Sequence, residues 1–315
     1  MLGPHDVGHR VVVRRIVAIR GNRPQYTDVL GELVAFDATG LTVSAKNGPQ
    51  HIRHDEIHAG KRIPTSPREI QNLERVGNEA WPAPTQERLG GWTLRAADGW
   101  TGRANSALPL GSPGMSRDAA IETVIRWYTA KGLPPRINVP LPLRAALDAA
   151  LTARGWARSP EVLVLTAPLA AVLAAAPARD DLPPVRLDRV PDDAWLAVVT
   201  ARKKGLPAAA RHVLTAPPAV RFASVDRGLA VARGAVVDGF LHLSLLEVAD
   251  AARHRGLARH VTRALAEWGR SEGAGTGFLQ VESGNLAARA LYAGMGFTTH
   301  HTYVTRTSAE PPGGA

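Results

Sequence analysis

Short runs of apolar residues interleaved with polar ones fill the stretch 8–62. The pattern predicts five strands, at 8–19, 26–36, 41–45, 50–53 and 56–62. Turn formers separate them: Gly21, Asn22 and Pro24, then Asp37, Thr39 and Gly40, then Asn47, Gly48 and Pro49. A run of this kind can close on itself as a small all-β barrel. Pro64, Ser66 and Pro67 then punctuate the chain, and the period changes. Ile70, Leu73, Val76 and Ala80 recur every three or four residues and predict a helix over 68–81. A hairpin-like pair of strands, 89–96 and 103–110 joined through Asp98 and Gly99, is expected next. Pro183 and Pro184, after an alanine- and proline-rich stretch, mark a second boundary, either a linker or a surface crossover.

The order of elements then repeats. Trp268, Gly273, Phe278 and the pair Gly296-Phe297 have counterparts 141 residues earlier in Trp127, Gly132, Ile137 and Gly155-Trp156. Each set describes helix, strand, helix, glycine-aromatic stop and strand, which predicts two related α/β subdomains. Their apolar stripes agree too. Leu257, Val261, Ala264, Leu265 and Trp268 match Ile121, Val124, Ile125 and Tyr128, while Leu286, Ala287, Ala290 and Leu291 match Leu143, Ala146, Leu147, Ala150 and Leu151. The predicted division is 1–65, 66–182 and 183–308, with 309–315 as a disordered tail.

Composition narrows the chemistry. The 315 residues suffice for two or three domains, and no apolar tract reaches 18 residues, which excludes a membrane-spanning helix. His5, Asp6, His9, Arg10, Arg14 and Arg15 break up the N-terminus, unlike a secretory signal, so the cytoplasm is the default location. The absence of cysteine excludes disulfides, cysteine nucleophiles and cysteine-ligated metal centres, so any thiol must come from a substrate or cofactor. A net charge of +10 favours polyanions, among them nucleic acids and the phosphates of a nucleotide cofactor. His242, His254, His260, His300 and His301 do not form a metal set, and most of them read as surface or groove residues.

One loop carries binding chemistry of its own. Between the apolar strand 240–248 and the helix from Leu257 lie Arg253, His254, Arg255, Gly256, Leu257 and Ala258. Gly256 and Ala258 keep bulk away from the backbone, and the first-turn N–H groups of the helix have no internal partners. With the helix dipole and the two arginines they make a site for phosphate oxygens; the plainer alternative is a tight turn.

Residues 240–297 resemble the GCN5-related N-acetyltransferase superfamily. The likeness rests on the apolar strand ending in Leu246-Glu247-Val248, the Arg253-x-x-Gly256-x-Ala258 loop, and Asn285 followed by an Ala-Ala-x-x-Leu-Tyr run to Tyr292 and Met295-Gly296-Phe297. The resemblance implies acetyl-CoA as cofactor, held by Leu246, Glu247, Val248, Arg253, His254, Arg255, Gly256, Leu257, Ala258, Arg259, Asn285, Ala288 and Tyr292. Its pantetheine arm would fill a gap between two splayed parallel strands as an imitation strand. A neutral primary amine would attack the thioester directly, Tyr292 would protonate the departing sulfur, and Glu247 or Glu282 would serve as base. The earlier copy places Ser112, Met115, Arg117 and Leu151 at the positions of Arg253, Gly256, Ala258 and Tyr292, so it is expected to be a silent, degenerate subdomain. Trp92, Trp100, Arg103 and Asn105 are candidates for a wall of the acceptor cleft.

The N-terminal pattern resembles an SH3-like barrel. The whole chain is similar to an actinobacterial group of histone-acetyltransferase-like proteins, which implies a basic DNA-associated protein as one possible acceptor. Nine Lys or Arg against six Asp or Glu up to Arg62 leave DNA contact by this barrel open. Two other readings stay open: a noncatalytic acyl-CoA sensor or scaffold, and a transferase for small amines. No membrane partner is expected, and the oligomeric state is open.

Overall fold

The structure, a computed structural model, describes residues 2–308 apart from Gly8, Asn22, Lys46 and Lys204. The tail 309–315, expected to be disordered, lies outside the described residues. Two compact units emerge: one runs to Pro67 and includes Thr298–His300, and the other takes the rest of the chain from Arg68.

The first unit holds β1 (Arg10–Arg20), β2 (Arg23–Phe36), β3 (Gly40–Ala45), β4 (Gly48–Arg53) and β5 (Ile57–Arg62). They form one antiparallel sheet in the order β4-β3-β2-β1-β5 over a core that includes Val11, Val13, Leu33, Val43 and Ile52. The expected closure into an SH3-like barrel does not occur. Strands β4 and β5 stand at opposite edges and do not pair with each other, so the sheet is open. Bulges in the β1–β2 and β2–β3 ladders bend it over its core without joining those edges.

The second unit opens with α1 (Pro67–Ala80), which buries Ile70, Leu73, Val76 and Ala80 as its period requires. Strands β6 (Thr85–Leu89), β7 (Trp92–Ala96) and β8 (Leu108–Pro109) make a small sheet. The predicted strand 89–96 is broken here: Gly90 takes φ 55° in the turn from β6 to β7, a conformation a β-branched residue would resist. There follow α2 (Arg117–Thr129), β9 (Arg136–Leu141), α3 (Ala145–Ala153), β10 (Ala157–Arg158), β11 (Val162–Pro168) and α4 (Leu169–Ala175). The remainder is β12 (Arg186–Asp188), α5 (Asp193–Lys203), α6 (Ala208–Thr215), β13 (Ala219–Val225), β14 (Ala230–Val237), β15 (Phe240–Val248), α7 (Leu257–Ser271), β16 (Thr276–Glu282), α8 (Leu286–Ala293) and β17 (Thr298–Thr307).

The repeated order is present in α2-β9-α3-β10 and α7-β16-α8-β17, yet the two runs share one nine-stranded sheet, β10-β17-β11-β16-β15-β14-β13-β12, with β9 also on β17. Strand β11, which follows the earlier run, inserts between β16 and β17, while β17 pairs Thr302–Thr307 with β9 and Arg306 and Thr307 with β10. The later run therefore completes the sheet of the earlier one. The stretch before Pro183 is a crossover over α7: Ala175 O accepts from Arg259 Nη1 at 2.9 Å, Ala176 O from Arg263 Nη1 at 2.7 Å, and Pro183 O lies 3.0 Å from His260 Nε2.

Alternation along β13 and β14 builds a core on each face. Ala223, Val225, Ala230 and Ala232 meet Leu257, Val261 and Leu265 of α7 on one side. Phe222, Val231 and Ala235 meet α1, α5 and α6 through Val76, Trp195 and Val213 on the other. Helix α8 departs from its predicted stripe: it buries Tyr292, while Leu286 is 70% exposed.

Candidate functional site

Strands β15 and β16 run parallel and pair only through Phe240↔Thr276, Leu241↔Gly277 and His242↔Phe278. Strand β15 continues six residues further, and among the described residues no ladder pair joins it to β16 there. The divergence has a local cause. On the other side, Arg233 of β14 pairs with Ser244 and Val231 with Glu247, so β15 carries one extra residue. Leu245 takes φ 53° within that bulge. A left-handed, β-carbon-bearing residue costs about 1–2 kcal/mol, and such strain persists only where the surroundings fix it. The bulge turns the end of β15 away from β16 and leaves a strand edge open.

A cleft of about 600 Å³ occupies this opening on the α7 face. Leu246, Glu247 and Val248 line it from β15. Arg253, His254, Gly256, Leu257, Ala258 and Arg259 line it from the loop and first turn of α7. Asn285, Ala287, Ala288, Leu291 and Tyr292 line it from α8. Ala287 and Ala288 in the first turn of α8 thus border the cleft instead of a sheet. Of the residues expected to hold a cofactor, Arg255 is not at the cleft, and Glu282, exposed at the end of β16, is not there either.

The loop has the backbone of an anion site. Gly256 precedes α7 at φ 88°, ψ −2°, and no side chain caps the helix. A left-handed residue followed by a helical one points successive N–H groups into one concavity, and the dipole of a 15-residue helix adds positive potential. His254 also takes a positive φ, 60°. Arg253 leans on Asp250 at 2.7 Å, and Arg259 spends one donor on Ala175 O. Asn285 has a structural duty: its side chain accepts from Ala288 N at 3.1 Å and caps α8.

Tyr292 is buried, its ring edge-on to Phe297 with centroids 5.5 Å apart, and its hydroxyl makes no hydrogen bond to a described residue. Burial, and secondarily the charge of Glu247, push its pKa well above the usual tyrosine range, so the phenol keeps its proton. Glu247 and Tyr292 line the same cleft.

Two of the histidines are buried. His242 is 1% exposed between Trp81 and Phe278, and His301 is 4% exposed, with Nε2 at 2.9 Å from Glu74 Oε1. Among the acceptor-wall candidates, Trp92 and Trp100 are core, and Asn105 ties its own loop by accepting from Ala97 N and Gly99 N and donating to Trp100 O and Thr101 O. Arg103 does line a cavity, together with Trp81, which the sequence reading missed.

Residues 66–305 match the family described as probable histone acetyltransferase Rv0428c, C-terminal. The chain belongs to this family. Over 94% of the chain and 93% of its relative it is 33% identical to the probable histone acetyltransferase Rv0428c of Mycobacterium tuberculosis. It is 29% identical to the uncharacterized N-acetyltransferase YobR of Bacillus subtilis, over 76% of the chain and 99% of that protein. The fold is that of a GCN5-related N-acetyltransferase from Kribbella flavida (TM-score 0.59, 16% identity, 76% of this chain and 96% of that one). It is also that of a tandem protein of the superfamily from the clavulanic acid pathway (TM-score 0.53, 17% identity, 78% and 89%). The protein is thus an acetyl-CoA-dependent acetyltransferase.

Within this N-acetyltransferase the earlier run differs where the cleft would be. Helix α2 begins with Ser116, whose side chain accepts from Ala119 N at 3.2 Å, so an intrinsic cap fills the role that α7 leaves open. Leu151, the counterpart of Tyr292, is a fully buried core residue. No helix among the described residues is long and apolar enough to cross a membrane.

Proposed function

We propose that the α7-face cleft is the chain's single donor site, that the acceptor is a primary amine, and that Tyr292 is the general acid. The observation that carries this reading is the continuity of one cleft: an unpaired strand edge at Leu246–Val248 leads to the uncapped N-terminus of α7, with Tyr292 facing the same space. The open edge offers backbone partners to an amide-bearing pantetheine arm, and the N–H concavity at Gly256 suits its pyrophosphate. Acetyl-CoA supplies the activated acyl group.

The residues divide the remaining work. A backbone N–H on the edge of β15 stabilises the negative charge that develops on the acetyl oxygen as the amine attacks. Tyr292 gives its proton to the leaving sulfur. Its raised pKa keeps that proton in place until the thiolate forms. Glu247, which lines the same cleft as Tyr292, is the proposed base for the incoming amine, directly or through water. A packing role for Tyr292 is the competing reading, favoured by its edge-on contact with Phe297.

Thiol release from acetyl-CoA, measured with pooled primary amines and a lysine-bearing histone-tail peptide, tests the reaction. The histone-tail peptide is included because the mycobacterial relative carries a histone acetyltransferase name. Binding of acetyl-CoA without turnover of any amine would leave only a sensor. An unchanged activity-pH profile in Glu247→Gln would remove that residue as base.

A further inference from the structure

A second cavity, of about 190 Å³, lies on the opposite face of the sheet. Trp81 at the end of α1, Arg103 from the following loop, His242 and Ser244 of β15, Gln280 of β16 and Tyr303 of β17 line it. Leu245 lines this pocket and Leu246 lines the donor cleft. Ser244 and Leu245 of β15 and Gln280 of β16 lie past the last ladder pair, His242↔Phe278, so the pocket sits where the two strands diverge. An amine seated here lies beside the open strand edge.

The pocket holds polar groups that the protein itself leaves unused. His242 places Nε2 at 2.9 Å from Gln280 Oε1, while Nδ1 is buried without a partner, as is Ser244 Oγ. With Nε2–H donating to the amide oxygen, the Nδ1 lone pair is an acceptor. Burial, then the charges of Arg103 and Arg233, push the His242 pKa well below its usual range, so the ring is neutral at physiological pH. Buried polar atoms of this kind are uncommon and call for a ligand or a water.

Charge then selects the ligand. The guanidinium of Arg103 lies 5.5 Å over the Tyr303 ring, with Nη2 at 3.4 Å from its hydroxyl, and forms no ion pair among the described residues. Behind the pocket, burial lowers the pKa of Arg95 to about 10 and that of Arg233 to about 9, which still leaves both charged at neutral pH. The neighbouring carboxylate is Glu74, buried and engaged with His301, and no Asp or Glu lines the cavity. Cationic surroundings disfavour an alkylammonium and favour a carboxylate.

We infer that this pocket is the acceptor subsite and takes a small amine bearing a carboxylate, the amino-acid class, with Arg103 pairing the carboxylate and His242 Nδ1 accepting a hydrogen bond from the neutral amine. The inference rests on the acetyl-transfer reading above. The step balances. The ammonium releases one proton to water, and the nitrogen lone pair forms the C–N bond. The C–S bond breaks with its electron pair on sulfur, which takes the Tyr292 proton, and the surplus proton on nitrogen returns through water to the phenol.

The test is thiol release by the purified full chain with each amino acid, its decarboxylated amine and a basic lysine-bearing peptide. The best amino acid is expected to exceed its decarboxylated partner at least about tenfold in kcat/KM. Arg103→Met should raise the amino-acid KM roughly 10- to 100-fold, erase that preference and leave the acetyl-CoA KM unchanged, and Arg103→Lys should recover part of the loss. Equal or better turnover of the decarboxylated amine or the basic peptide overturns the pocket assignment and leaves the transferase reading standing. Absence of thiol release with every amine overturns both.

Discussion

Gly256→Ala tests the donor loop through a change of one methyl group. At φ 88°, ψ −2° the backbone lies where an L-residue is strained, a cost of about 1–2 kcal/mol. Crowding adds little: the new β-carbon would sit 3.1 Å from Arg179 Nη1, the far end of an exposed side chain paired with Asp181, which can move. The strain should therefore appear as a fall in Tm of about 2–8 °C, taking roughly 2–4 °C per kcal/mol for a unit of this size. If residue 256 relaxes out of the left-handed region, the N–H concavity opens. Loss of one hydrogen bond to a charged phosphate, about 1.5–3 kcal/mol, raises the acetyl-CoA KM roughly 10- to 100-fold. Ser116→Ala is the matched control. It removes the cap of α2 at a cost of about 1 kcal/mol and should leave that KM unchanged. Thermal melts and initial-rate thiol release on both variants read the result. A Gly256→Ala protein with wild-type Tm and KM, or equal KM effects from both changes, would refute the reasoning.

Tyr292→Phe should lower kcat by about 10²- to 10⁴-fold, as expected for a general acid, with little change in Tm because the lost hydroxyl has no hydrogen-bond partner among the described residues; near-normal kcat would assign the ring to packing. Because the Tyr292 pKa is raised, its ionisation should produce no alkaline loss of kcat below the ordinary tyrosine value of 10.0, and a loss abolished by Tyr292→Phe would contradict this. Burial opposes ionisation of Glu74, but the hydrogen bond from His301 and the charges of His301, Arg103 and Arg95 outweigh it and hold the pKa below 4.5. A depressed carboxylate stabilises the fold fully above its unfolded pKa and loses that contribution as pH falls through the folded one, so urea midpoints should drop below about pH 4.5. Glu74→Gln should flatten that drop, and an equally steep drop in the variant would contradict the assignment.

What could be read from the chain follows the range of the forces involved. The loop 253–258 was legible because glycine, arginine and an amphipathic helix start act on neighbours in sequence. The stripes of α1 and α7 were legible for the same reason. Closure of the N-terminal sheet was not, since turn residues such as Gly21 and Gly48 dictate where strands reverse and not whether β4 meets β5. The exchange of β11 and β17 depends equally on distant partners. Leu245 gave no sign of its left-handed backbone within an apolar run, and that one residue opens the cleft. Two signals were present and underread. Gly90-Gly91 breaks the strand expected over 89–96, and His242, flanked by Leu241 and Leu243 in a strand buried on both faces, had little chance of reaching the surface.

Titration calorimetry of acetyl-CoA into the full chain counts the donor sites and shows whether Gly256 shapes them. One site per chain, weakened at least about tenfold by Gly256→Ala and unaffected by Ser116→Ala, is the predicted result. Two equivalent sites, or a single site indifferent to Gly256, would contradict a lone donor cleft at the splayed strands.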